Sequence, residues 1–177
     1  MGTASSQLST AKRELPLKKQ LRHGRAVNAV AEYLRKSLRV PNIYLEAKVG
    51  RQRLDVLAVD AAGSGDVYAV EIKLAENGKV NLAMMRDFSR QAEAMPAHFR
   101  YMALSKATFN STLLKQDAFY ASNGIGRIGI LLIDDVAPDF PTVYPVLAAE
   151  RFRLPPDELD KVERFLSKAK PDMFVRL

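Results

Sequence analysis

The sequence predicts one domain in which a sheet and helices mix, of class α/β or α+β. Three observations lead there. Apolar residues recur at helical spacing in separate stretches; strand-like alternation or short apolar runs fill the segments between them; and no linker or internal repeat divides the 177 residues. A chain of this length buries a sizeable core as a single domain.

The elements follow in order. From about Leu21 to Leu38, Val27, Val30, Ala31, Leu34 and Leu38 fall on one helical stripe, and Pro41 stops the helix. Three strands come next. In the first, Ile43, Leu45, Ala47 and Val49 alternate with Tyr44, Glu46 and Lys48. The second spans Arg53 to Val59 and the third Val67 to Lys73, with Gly63-Ser64-Gly65 as the turn between them. Period two puts Arg53, Asp55, Leu57 and Val59 on one face, and Val67, Ala69, Glu71 and Lys73 likewise on one face of the third strand.

A second helix is expected from about Val80 to Met95, with Met84, Phe88, Gln91 and Met95 on one stripe and Pro96 after it. Arg100 to Leu104 reads as a short buried strand, and Thr112 to Ala121 as a helix capped by Asn123-Gly124. Ile128 to Ile133 is a continuous apolar run, the mark of a central strand. Thr142 to Leu147 reads as a strand interrupted by Pro145. Pro155-Pro156-Asp157 then opens a last helix with Leu159, Val162, Leu166 and Ala169 on its apolar face. Residues 1–20 read as a basic, flexible segment ahead of a single domain over 21–177.

Composition narrows the function. There is no cysteine, which excludes disulfides, thiolate metal sites and cysteine nucleophiles, and fits a cytoplasmic setting. No apolar run is long enough for a membrane span, and the N-terminus lacks the apolar stretch of a secretory signal. A net charge of +7 favours a polyanionic partner. Most of that excess lies early: Lys12, Arg13, Lys18, Lys19, Arg22 and Arg25 are opposed only by Glu14 in the first 25 residues. Contacts from these side chains to phosphates are expected to be independent of base sequence.

The chemistry is concentrated in Arg53-Leu54-Asp55-Val56-Leu57 and, across the glycine turn, Ala69-Val70-Glu71-Ile72-Lys73. Phosphodiester hydrolysis needs phosphate charge neutralised and a water made nucleophilic, and a divalent cation held by carboxylates does both. Two carboxylates on neighbouring antiparallel strands can converge on one such ion. A lysine two residues after the second carboxylate projects from the same strand face and can orient the attacking water. Acid-x-Lys triplets are cheap in a chain with 27% charged residues, and a second one occurs at Glu46-Ala47-Lys48. That one has no aspartate upstream, because Asp55 is the first in the chain. Glu71 and Lys73, by contrast, interrupt an apolar strand on its inward-looking face. The plainer alternative is that they frame a strand end, with Asp55 paired to Arg53 or Lys73.

From about Leu21 to Ile133 the chain resembles the PD-(D/E)XK, or restriction-endonuclease-like, nucleases. The resemblance implies an α/β fold with an α-β-β-β-α-β core, a mixed central sheet and flanking helices. It matches Asp55 to the acid of the second strand and Glu71-Ile72-Lys73 to the acid-x-Lys of the third. It therefore implies a Mg²⁺-dependent (or Mn²⁺-dependent) deoxyribonuclease in which Asp55, Glu71 and the Ile72 carbonyl hold the metal and Lys73 positions water. RNA stays open as a substrate, and a homodimer is compatible because many relatives pair to cut two strands. The stretch from Glu46 through Gly50-Arg51 to Asp55-Val56 is similar to repair and resolvase-type members, which favours Glu46 as the third acid over its competitor Glu32 on the first helix. Gln91 matches a glutamine near the site in the exonuclease-like branch. Two departures stand out. Leu54 replaces the proline of the family name, and the glutamate common early in the first helix of the resolvase branch is absent. Asn28 holds its place, and Glu32 lies a turn later. The alternative function is a nucleic-acid-binding or assembly module that keeps the fold without cleaving.

The remaining candidates read as structural. Ile130-Leu131-Leu132-Ile133-Asp134-Asp135 looks like a metal-binding strand end of a P-loop ATPase, but no phosphate-cradling glycine motif accompanies it. His23 and His98 are isolated, with no second ligand at metal spacing, and read as surface or phosphate-contact residues. Met84, Met85 and Met95 suit core packing.

Overall fold

The computed structural model describes residues 4–74, 82–106, 109, 128–134 and 141–172, with side chains from residue 19 onward except at 82–85. Helix α1 (Ala4–Lys36) leads into strands β1 (Asn42–Val49), β2 (Gln52–Val59) and β3 (Val67–Lys73). Helix α2 (Leu82–Glu93), strands β4 (Phe99–Ser105), β5 (Gly129–Asp134) and β6 (Thr142–Leu147), and helix α3 (Pro156–Leu166) follow. The expected helix at Thr112–Ala121, its Asn123-Gly124 cap and Asp135 lie outside the described residues, as do the side chains of Met84 and Met85.

The strands form one six-stranded sheet in sequence order. β1, β2 and β3 are an antiparallel meander. Gly50, at φ +61°, turns the first hairpin. Asp60 accepts the Ser64 N–H at the second turn, where Gly65 sits at φ +72°. β3, β4 and β5 run parallel, and β6 closes the edge antiparallel to β5. A parallel neighbour needs a crossover, which is the place of α2 between β3 and β4. Pro145 lies within β6, where an edge strand tolerates the missing donor. The architecture is thus α/β, with the α-β-β-β-α-β order read from the apolar spacing and the mixed sheet that the resemblance implies.

Two apolar clusters cover the two sheet faces. On one, Val27, Val30 and Leu34 of α1 pack on Ile43, Val56, Ala58, Val70 and Ile72. On the other, Phe88 and Ala92 of α2, Met95 just after it and Val162 of α3 pack on Tyr44, Leu57, Ala69 and Met102. Each large apolar side chain buried this way contributes about 1.5–3 kcal/mol. The α1 stripe is the expected one, but the helix starts upstream of the expected Leu21, at Ala4, and passes Pro16.

Candidate active site

Strict alternation fails in β1 and β2 at the same level. Ile43 faces α1 and Tyr44 faces α2, as period two requires. Yet Ala47 and Val49 then face α2, where alternation from Ile43 would place them towards α1. In β2, Leu57 and Val59 face α2, and so does Leu54. Both strands slip phase between the pairs Leu45↔Val56 and Ala47↔Leu54. Glu46 and Asp55 are the residues at the slip, and Glu46 takes φ +53°. A non-glycine residue in that region costs on the order of 1–3 kcal/mol. The expected shared face for Ile43, Leu45, Ala47 and Val49, and that for Arg53, Asp55, Leu57 and Val59, are corrected accordingly.

The slip coincides with the parting of β2 and β3. Their pairing runs from Val59↔Val67 to Val56↔Val70. Beyond it, the Ile72 N–H donates to Asp55 Oδ2 at 2.7 Å instead of to a backbone carbonyl. Asp55 therefore lies edge-on in the sheet, only 16% exposed. Its other oxygen, Oδ1, lies 3.4 Å from Nε2 of His23 on α1. The same nitrogen is 3.7 Å from Glu46 Oε1, and Arg53 is paired with Glu46 through Oε2.

β3 keeps its alternation. Glu71 and Lys73 project on the face of Val67 and Ala69, towards α2. Lys73 Nζ stands 5.9 Å from the centre of the Phe88 ring. Glu71 lines a cleft of about 440 Å³ together with Gln52, Arg53, Arg90 and Gln91. Burial first, and then the Asp55 carboxylate, push Glu71 up to about 7, against the opposing charges of Lys73 and His23. His23 is raised from its ordinary value, chiefly by its hydrogen bond to Asp55, with burial acting the other way. A half-buried carboxylate beside a second one forms a donor set suited to a cation.

The structure thus brings together Asp55, Glu71, Lys73, Glu46 and, across the cleft, Gln91. Glu32 is elsewhere, exposed and paired with Lys36. Lys19 is exposed and Arg22 and Arg25 half-buried on α1, flanking His23. The side chains of Lys12, Arg13 and Lys18 lie outside the described residues. His23 corrects the reading of an isolated histidine. It continues the Val27, Val30 and Leu34 stripe by one more turn, and a polar residue extending a buried stripe was the available signal. His98 also has neighbours, but structural ones: its Nδ1 accepts the Val67 N–H at 3.0 Å beside Asp66, which Arg151 grips at 2.8 Å. Asp134 ends β5 and pairs with Lys106 at 2.8 Å.

A second groove adjoins the cleft and shares Gln52 with it. The β1–β2 hairpin and α3 form it, with Lys48, Arg51, Lys161, Arg164 and Lys168 along its walls against Glu158.

No protein-family model and no curated protein matches the chain. Among solved structures it is similar to the SPO1766 protein of unknown function from Silicibacter pomeroyi. The identity is 18% and the TM-score 0.49, over 79% of this chain and 80% of that one. It is also distantly similar to Pyrococcus furiosus SfsA, solved in complex with Ca²⁺. There the identity is 12% and the TM-score 0.33, over 67% of this chain and 60% of that one. No described helix is long and apolar enough to cross a membrane. Function therefore has to come from this chain's own side chains.

Proposed function

We propose that the protein is a metal-dependent phosphodiesterase that cleaves DNA. The observation that carries the reading is the meeting of Asp55 and Glu71 where β2 and β3 part, with Lys73 on the strand face of Glu71. Asp55, Glu71 and the Ile72 carbonyl are all hard oxygen donors, the type that Mg²⁺ or Mn²⁺ takes. A divalent cation held there supplies Lewis acidity towards phosphate and a more acidic water.

The chain's own groups do the rest. The Ile72 N–H fixes Oδ2 of Asp55 and so holds the carboxylate in place between Glu71 and His23. Lys73 orients the attacking water or balances charge on the scissile phosphate. Gln91, across the cleft from Glu71, offers an amide to the substrate backbone. The cation-lined groove that shares Gln52 with the cleft gives a polyanion a path to the site.

One observation favours the second reading, a binding or assembly module that does not cut. His23 sits on Asp55 and Arg53 on Glu46, so basic side chains of the protein already partner two of the acids. The test is incubation of the purified protein with labelled single-stranded, double-stranded and branched DNA in Mg²⁺, Mn²⁺ or EDTA. Cation-dependent cleavage supports the first reading. Salt-sensitive binding with no cleavage in any cation selects the second.

A further inference from the structure

We infer that His23, Glu46 and Asp55 form a second cation position, on the α1 side of Asp55, that takes a first-row transition cation in preference to Mg²⁺. The inference rests on the proposed metal site at Asp55 and Glu71 and extends it across Asp55.

Three facts of geometry support it. One ligand atom from each residue, the His23 imidazole nitrogen and a carboxylate oxygen each from Glu46 and Asp55, lies within 4.8 Å of the other two. The nitrogen is 3.4 Å from the Asp55 oxygen and 3.7 Å from that of Glu46. Bonds of about 2.1 Å in four-coordinate geometry put neighbouring ligand atoms roughly 3.4 Å apart, so little movement is needed to close on an ion. Second, the two carboxylates are held from behind. Asp55 is tied through its other oxygen to the Ile72 N–H, and Glu46 through its other oxygen to Arg53. Such outer partners orient metal ligands and fix which oxygen faces the ion. Third, Asp55 lies between the two positions. It is edge-on in the sheet, with Glu71 on the α2 side and His23 on the α1 side, and the charges of both act on one another.

The ligand chemistry sets the selectivity. Mg²⁺ prefers oxygen donors and keeps its waters, whereas imidazole suits the first-row transition ions. A cation that includes His23 in its shell therefore distinguishes Mn²⁺ and the later ions from Mg²⁺, and the Asp55–Glu71 position alone does so much less.

The experiment is cation titration of the full chain, read by melting temperature and by pulsed paramagnetic resonance of bound Mn²⁺. Wild type, His23→Gln and Glu71→Gln are compared, with Mg²⁺ and Mn²⁺ as probes. Wild type should respond to Mn²⁺ at lower concentration than to Mg²⁺ and show coupling of Mn²⁺ to an imidazole nitrogen. His23→Gln should lose that coupling and weaken Mn²⁺ binding by about tenfold or more, with Mg²⁺ binding nearly unchanged. His23→Gln that keeps the wild-type Mn²⁺ response, or weakens both cations equally, overturns the inference. If Glu71→Gln still weakens Mg²⁺ in that case, the primary site survives. If neither cation binds wild type, both fail together. A His23→Gln protein that melts as wild type does in EDTA shows that any weakening is one of ligation and not of folding.

Discussion

The Ile72 backbone N–H donates to Asp55 Oδ2 at 2.7 Å, where the next ladder bond between β2 and β3 would otherwise lie. Asp55 is thus both a proposed metal ligand and a strand cap. Asp55→Ala should leave the buried N–H without a partner, at a cost of about 1–3 kcal/mol. For a domain of this size that lowers the melting temperature by roughly 2–12 °C. Asp55→Asn keeps an oxygen that can accept the bond, so it should melt closer to wild type while losing cleavage. Thermal denaturation in EDTA measures both, and equal melting of the two variants would contradict the capping role.

Glu71 is expected to make the metal-free protein sensitive to alkali. Its folded value of about 7 lies above the ordinary 4.5, so the folded state holds the proton more tightly than the unfolded chain. The resulting stability is fully present below pH 4.5 and is lost as pH rises through 7. His23, also raised, adds a contribution of the same sign. In EDTA the melting temperature should fall between pH 5 and pH 8, and Glu71→Gln should reduce that fall without abolishing it. At pH 8 the variant should melt above wild type. Identical pH profiles would show that the Glu71 carboxylate is not the group responsible.

Glu46 and Glu32 should separate in a rate assay. Glu46 stands 3.7 Å from His23 in the group around Asp55, whereas Glu32 is exposed beside Lys36. Glu46→Gln should slow cleavage by at least about tenfold, or 1.4 kcal/mol of barrier, and Glu32→Gln should do much less. The reverse order would move the third acid onto the helix.

Much of this could be read in the amino acids. The α-β-β-β-α-β order follows from apolar spacing, and Glu71 and Lys73 fall on the α2 face because β3 alternates without a break. The slip at Glu46 and Asp55 was hidden, because nothing in the identity of a glutamate marks a positive φ as Gly50 or Gly65 marks one. Once Ala47 and Leu54 change faces, faces assigned by counting from either strand end disagree. His23 was hidden for another reason. A contact from helix to sheet across 32 positions leaves no spacing to find, and only the stripe of Val27, Val30 and Leu34 pointed to it.

Nucleic-acid affinity should depend on two surfaces. Arg51 and Lys168 line the groove that meets the cleft at Gln52, and Lys12, Arg13, Lys18 and Lys19 lie among the first 20 residues. Removing one cation that neutralises a phosphate reduces the slope of log affinity against log salt by about 0.9 on duplex DNA. Replacing Arg51 and Lys168 with glutamine should flatten the slope by up to about 1.8. Deleting residues 1–20 should flatten it further, to a similar degree for all base sequences. Binding isotherms at several salt concentrations check both, and an unchanged slope in either variant removes that surface from the DNA path.

The central claim is that Asp55 and Glu71 act together on a metal to cleave phosphodiesters. Its most direct measurement is cleavage of labelled DNA in Mg²⁺ by wild type and Glu71→Gln, with folding of both verified by melting. Wild type should cut in Mg²⁺ and stop in EDTA, while folded Glu71→Gln should leave the DNA intact in either. Cleavage retained by Glu71→Gln, or cleavage by wild type that persists in EDTA, would contradict the account.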